Sequence, residues 1–256
     1  MGAVRLQKIY FINLDKDSER RNLLESRLRR HYPEIPYERF SALSADSFDR
    51  YLPFFQHRLR DNMQPVNGVY PRPGTLGCFL SHYQLLKQID ANWRENGPQD
   101  ACYLVLEDDC VFDESVLPKI SHWIDESIPS DWSVVTHPKG RIYWRDRANK
   151  YFHHIHSARH RKWIYYWGAH FCIYRGCAIG KIVELMEQEE IYDVDKWLRN
   201  NVSGAYSFRQ HLRIKTSNLG GSNTNPRFAG PENQDATSIF RRPRPIRDFL
   251  RQFKRY

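Results

Sequence analysis

No run of the 256-residue chain reaches the roughly 18 consecutive apolar residues of a membrane-spanning helix. The start, "MGAVRLQKIYFINLD", holds only a short apolar run ending in a polar turn, so no secretory leader is expected there. Leu6 stands where a myristoylation signal wants Ser or Thr, which leaves Gly2 without that use. Cysteine is scarce: Cys78, Cys102, Cys110, Cys172 and Cys177 form no CxxC pair and no His-rich zinc spacing. They sit mostly in apolar stretches and read as buried thiols in a reducing compartment. A cytoplasmic protein, soluble or peripheral on the inner face of a membrane, is the expectation. Acid is in deficit, 30 Asp plus Glu against 39 Lys plus Arg, a formal charge of +9. That balance favours anionic partners. No RNP-type aromatic motif, zinc finger or helix-turn-helix signature accompanies it, so nucleic acid is not the expected one.

What is present suffices for a full core, with 41% hydrophobic and 14% aromatic residues. "KIYFINL" (8–14) reads as a buried strand, and 17–32 as a charged helix with Leu24, Leu28 and His31 near one face. "YERFSAL" (37–43) reads as a second strand, and 44–72, with Pro53, Pro65 and Pro71, as loop with one short helix. "GTLGCFLSHYQLLKQIDANW" (74–93) predicts a helix burying Phe79, His82, Leu85, Leu86 and Ile89, and "ACYLVL" (101–106) a third strand. Strand and helix alternate, which predicts an α/β fold with a mostly parallel sheet flanked by helices. Ligands in such sheets gather beyond the carboxyl ends of strands.

The third strand ends in an acidic triplet, Glu107, Asp108 and Asp109, inside "YLVLEDDCVF". A buried carboxylate with no partner costs several kcal/mol, roughly, so the triplet asks for a cation or for donors. In an extended segment Glu107 and Asp109 project to the same side. Two carboxylates there suit a hard divalent cation that also holds substrate phosphates. The alternative is that they cap a turn or pair with arginines.

Several separated stretches then match one family in order. "YFINLDKDSERR" (10–21), "ERFSAL" (38–43), "GTLGCFLSHYQLLKQI" (74–89) and "YLVLEDDCVF" (103–112) resemble the successive blocks of glycosyltransferase family 25. Bacterial lipooligosaccharide galactosyltransferases and their collagen-modifying relatives make up this family. "YYWGAHFCIYRGCAIGKIVELM" (165–186) and "IYDVDKWL" (191–198) resemble its later blocks, with Phe171 in place of a usual Tyr and Arg175 in place of a Ser. Residues 137–164 match nothing familiar in it.

The resemblance implies an A-type nucleotide-diphospho-sugar transferase fold over residues 1–240 and a Mn²⁺ or Mg²⁺ ion. It also implies an inverting transfer, typically of galactose from UDP-galactose, to a glycan acceptor that is lipid-linked or protein-linked. Glu107 and Asp109 would take the metal positions, Asp109 by direct contact and Glu107 through ribose or a metal-bound water. Asp108, Asn13, Asp15 and Arg20 would lie against the nucleotide. Gly74 and Gly77 would let backbone approach the donor, whose anionic part suits the free N–H groups of a helix start. Ser81 and His82 follow as donor contacts, with a core-histidine reading of His82 equally open. Asp195 is the first candidate for the base that deprotonates the acceptor and Asp193 the second, either being open to reading as a helix cap. Ser222 and Asn223, in "NLGGSNTNP" (218–226), would be further donor contacts.

Two basic stretches remain. "HHIHSARHRKW" (153–163) lacks an accompanying Cys or carboxylate and reads as a solvated basic loop. "RRPRPIRDFLRQFKRY" (241–256) carries seven basic residues and one acid, and as a helix would stripe Ile246, Phe249, Leu250, Phe253 and Tyr256. Such a tail suits an anionic membrane surface or packs as an ordinary terminal helix. Other functional classes that fit the composition are a nucleic-acid-binding protein and a non-catalytic carbohydrate-binding module. A phosphatase with an aspartyl nucleophile fits less well, since Glu107 stands where that chemistry wants Asp.

Overall fold

The apolar run that follows Lys8 forms β1 (Arg5–Asn13), whose last five residues are buried. Alternation sends Ile9 and Phe11 to one face and Tyr10 and Ile12 to the other, and each pair joins a different hydrophobic cluster. Coverage of both faces explains why the strand reads as continuous apolar sequence. The computed structural model describes residues 4–136, 151–155, 169–208 and 214–216.

Helix α1 (Ser18–His31) buries Leu24 and Leu28. His31 stays half-exposed, and Tyr32, one residue past the helix, joins the two leucines in the core instead. Strand β2 (Tyr37–Ser41) follows. The stretch 44–72 is more ordered than its composition suggested: 3-10 turns at Ala45–Tyr51 and Asp61–Met63 flank α2 (Leu52–Phe55). Phe48, Phe55 and Tyr70 meet edge to face, so aromatic contacts rather than periodicity hold it.

Helix α3 (Pro73–Asn96) starts on a proline, whose missing N–H costs nothing in a first turn, and buries the five residues its spacing pointed to. Then come β3 (Ala101–Glu107), β4 (Cys110–Phe112), α4 (Leu117–Ser127), β5 (Val134–Thr136), β6 (Phe152–His154) and β7 (Phe171–Arg175). The described chain ends with α5 (Gly176–Gln188), α6 (Val194–Asn201), β8 (Ala205–Phe208) and β9 (Ile214–Thr216).

Among the described residues the main sheet has seven strands in the order β2-β1-β3-β7-β5-β8-β6. β2, β1 and β3 run parallel, as the sequence led one to expect. The sheet as a whole is mixed, because β7 runs antiparallel to both β3 and β5 and β6 runs antiparallel to β8. Helices α3, α5 and α6 cover one face, and α1 and α4 the other. A separate ribbon pairs β4 with β9, Cys110 opposite Thr216. The basic stretch beyond Ile155 and the tail at 241–256 lie outside the described residues.

Candidate active site

β1 and β3 lie side by side although α1, β2 and α3 intervene between them in the chain, so strand order reverses at their boundary. A crevice outside the carboxyl ends forms at such a boundary. Register brings Ile12 opposite Glu107, which sets Asn13 beside the acidic triplet. β7 enters from the same end, with Phe171 opposite Leu106, and the Glu107 N–H donates to the His170 carbonyl at 3.0 Å. Three strand ends therefore deliver Asn13, Glu107 to Asp109 and His170 to one place.

The triplet splits at the turn that begins after Glu107, the last residue of β3. Asp108 turns towards β1, where Oδ2 accepts from Asn13 Nδ2 at 2.7 Å and Oδ1 from Arg20 Nη1 at 3.3 Å. Asn13 is held in turn by Arg39, whose Nε donates to its Oδ1 at 3.0 Å, and Arg39 also pairs with Asp15. Ser41 Oγ donates to Asp15 at 2.9 Å. The hydrogen bond from Arg39, then that from Ser41, lowers the Asp15 carboxyl below its ordinary range. Burial raises Asp108, and Asn13 and Arg20 offset only part of that.

Glu107 and Asp109 turn the other way. Glu107 Oε2 lies 3.3 Å from His170 Nδ1, and Asp109 Oδ1 lies 3.9 Å from the same nitrogen. Desolvation pushes Glu107 up, but contacts with His170 and His82 outweigh it and hold the carboxyl well below the usual range. Burial pushes Asp109 up to about 6, with His170 pulling down and the charges of Glu107 and Asp108 adding to the rise. Asp109 Oδ1 is buried and has no hydrogen-bond partner among the described residues.

Behind Glu107 stands α3. Glu107 Oε1 lies 3.4 Å from Cys78 Sγ and 3.3 Å from His82 Nε2, and the His82 side chain is only 1% exposed. Burial above all, then the charge of Glu107, raises the Cys78 thiol far above its ordinary value. It remains a thiol and donates a hydrogen bond. The charges of Asp195 and Asp109 add to the same rise, which places Asp195 within electrostatic reach of this cluster.

Glu107, Asp109 and His170 offer ligand atoms within 4.8 Å of one another. Two carboxylates and an imidazole, one oxygen of them buried and bare, fit a hard or borderline divalent cation such as Mn²⁺ or Mg²⁺. Cys78, His82 and Glu107 also cluster within 4.8 Å, a set whose sulfur suits a softer ion than Mg²⁺ or Mn²⁺.

Asp195 lies in the first turn of α6, its Oδ1 accepting from the Lys196 N–H at 2.8 Å. Asp193 precedes the helix and makes no side-chain cap. Arg72 grips it with two bonds, at 2.7 and 3.1 Å, and Lys196 Nζ lies 3.3 Å away.

The sequence model of glycosyltransferase family 25 (LPS biosynthesis protein) matches residues 6–160. The chain belongs to glycosyltransferase family 25. The match covers the triplet, α3 and the Asn13 network, and stops short of His170, Asp193 and Asp195. This family 25 chain is 29% identical over 164 residues to a protein of Acanthamoeba polyphaga mimivirus that bears a provisional glycosyltransferase name. The alignment takes in 54% of this chain and 46% of the viral protein, so the chain spans about half the length of the curated relative it matches. Among solved structures, galactosyltransferase LgtC with donor and acceptor sugar analogues is 16% identical, with a TM-score of 0.41 over 78% of this chain and 73% of that one. S. aureus TarS (1–349) is 12% identical, with a TM-score of 0.43 over 84% and 61% of the two chains.

The remaining expected site residues of the family 25 chain divide between two places. Gly77 and Ser81 serve the seat of α3: a Cβ on Gly77 would lie 2.5 Å from the Leu43 carbonyl oxygen, and Ser81 Oγ accepts from the Leu43 N–H at 2.8 Å. That packing is a different use from the donor approach expected of them. Gly74 is half-exposed in the first turn of α3. Ser222 and Asn223 lie outside the described residues. Sequence reasoning missed His170, Cys78, Arg39 and Arg72. His170 stands directly before a buried strand, and no spacing ties it to residues 63 positions earlier.

Proposed function

We propose that the chain transfers a hexose from a nucleotide-diphosphate sugar, galactose from UDP-galactose first among them, to a hydroxyl of a glycan acceptor with inversion. The observation that carries this reading is the buried, bare Asp109 oxygen beside Glu107 and His170, at the carboxyl end of β3 where β7 begins. Those three residues would hold Mn²⁺ or Mg²⁺, which when bound supplies charge neutralisation for the departing diphosphate.

This chain's own residues supply the rest. Asn13 and Arg20 stand at the end of β1 and the start of α1, where a nucleotide base and ribose would rest, and their bonds to Asp108 fix that wall. Asp195 is the base of choice. It takes the acceptor hydroxyl proton as the acceptor oxygen bonds to the anomeric carbon and the bond from that carbon to the diphosphate oxygen breaks, releasing UDP. Asp193 suits the task less, because Arg72 and Lys196 neutralise it and outweigh the effect of burial, holding its carboxyl below the ordinary range. No helix among the described residues is long and apolar enough to cross a membrane. The basic stretch 241–256 would bring the enzyme to an anionic leaflet and so to a lipid-linked acceptor.

Incubation with Mn²⁺ and a panel of UDP-sugars, with UDP release as readout, tests the donor reading. Release with one sugar that stops on chelation and returns with Mn²⁺ supports it, and metal-independent release overturns the metal assignment. The anomeric configuration of the product, read by NMR, decides between inversion and retention. Retention would remove Asp195 as base.

A further inference from the structure

In "GCFLSH", two adjacent pairs of residues sit one helical turn apart on α3. The first member of each pair, Gly77 and Ser81, faces Leu43 and seats the helix against the chain that follows β2. The second member of each, Cys78 and His82, reaches Glu107 Oε1. One turn of helix is thus pinned on one side and grips a carboxylate on the other.

We infer that His82, assisted by Cys78, is a positioning residue that holds Glu107 by Oε1 and so presents Oε2 towards His170 and Asp109. The inference rests on the metal-centre reading given under Proposed function. His82 Nδ1 is buried without a hydrogen-bond partner among the described residues, so the imidazole is committed through Nε2 alone. A carboxylate accepts, so Nε2 carries a proton and donates it to Oε1. The last torsion of a glutamate is broad and roughly two-fold. Two donors on one oxygen and His170 on the other remove that freedom. Hydrogen bonds of this kind, one layer behind a metal ligand, orient the ligand and tune its affinity. A histidine kept in the core for packing alone would have no need of a particular nitrogen.

The test is a direct titration of the full chain with Mn²⁺ in the absence of donor, by calorimetry or by the EPR signal of free Mn²⁺, beside metal-free melting curves. The amide nitrogen of Gln reaches roughly where Nε2 sits, and that of Asn roughly where Nδ1 sits. His82→Gln is therefore expected to keep wild-type affinity, while His82→Asn and His82→Phe weaken Mn²⁺ binding about 10- to 100-fold. Cys78→Ser, which keeps a donor, should weaken binding less than Cys78→Val. If His82→Phe does not fold, the contrast between Gln and Asn decides by itself. Wild-type binding by His82→Asn would overturn this inference alone. Absence of Mn²⁺ and Mg²⁺ binding by the wild type would overturn the metal-centre reading and this inference with it.

Discussion

Asp108 and Asp109 are neighbours in the chain and opposites in the structure. Both oxygens of Asp108 are taken, by Asn13 and Arg20, and the Arg20 and Asp108 side chains are each only 11% exposed. Asp109 keeps a buried oxygen with no hydrogen-bond partner among the described residues, and its carboxyl is pushed up to about 6 by burial first. A satisfied buried carboxylate braces the fold, and an unsatisfied one stores a demand for positive charge. One residue of chain, in the turn that follows β3, separates the two roles.

The sharpest way to break this comparison is Asp109→Asn. Metal-dependent UDP release should fall by more than about a thousandfold, since charge stabilisation at a leaving group is worth several kcal/mol. The metal-free melting temperature should hold or rise, because a desolvated charge is removed. Asp195→Asn should come next, lowering turnover by roughly a hundred- to thousandfold with UDP affinity little changed. A collapse of UDP affinity with turnover of bound donor intact would move Asp195 to the donor side.

Asp108→Ala should act on stability rather than on chemistry. It removes one acceptor each from Asn13 Nδ2 and Arg20 Nη1, and urea unfolding should register a loss of about 2–3 kcal/mol, larger than any effect on Mn²⁺ affinity. The smallest effect is expected of Asp193→Asn, about 1 kcal/mol, since this ion pair is partly solvated. Burial raises the Asp193 carboxyl, but Arg72 and Lys196 outweigh it, so the folded value lies below the ordinary 3.8. The stabilisation is therefore complete above that ordinary value and fades as pH falls through the lower folded one. Wild type and variant should melt apart near neutrality and alike in strong acid.

Much of the fold is legible in the sequence because its signals are local. The apolar run in β1, the spacing in α3 and the strand before the triplet each bury the residues their periodicity marks. The segment from 44 to 72 is not legible in that way, since Phe48, Phe55 and Tyr70 meet through ring contacts without any repeat. The antiparallel entry of β7 is likewise invisible, because strand direction depends on connections and not on side-chain pattern.

The candidate site divides along the same line. The run "LEDD" already marks acid at the end of a strand, and the order of motif blocks already points to glycosyltransferase family 25. Only the tertiary structure decides that His170 completes the carboxylate pair, that Arg39 and Arg72 take up Asp15 and Asp193, and that Gly77 and Ser81 seat a helix whose Cys78 and His82 hold Glu107. Local sequence encodes which side of a strand or helix a residue occupies. Which distant residue meets it there is set by strand order and helix packing, through contacts such as that of Arg72 with Asp193, 121 residues apart.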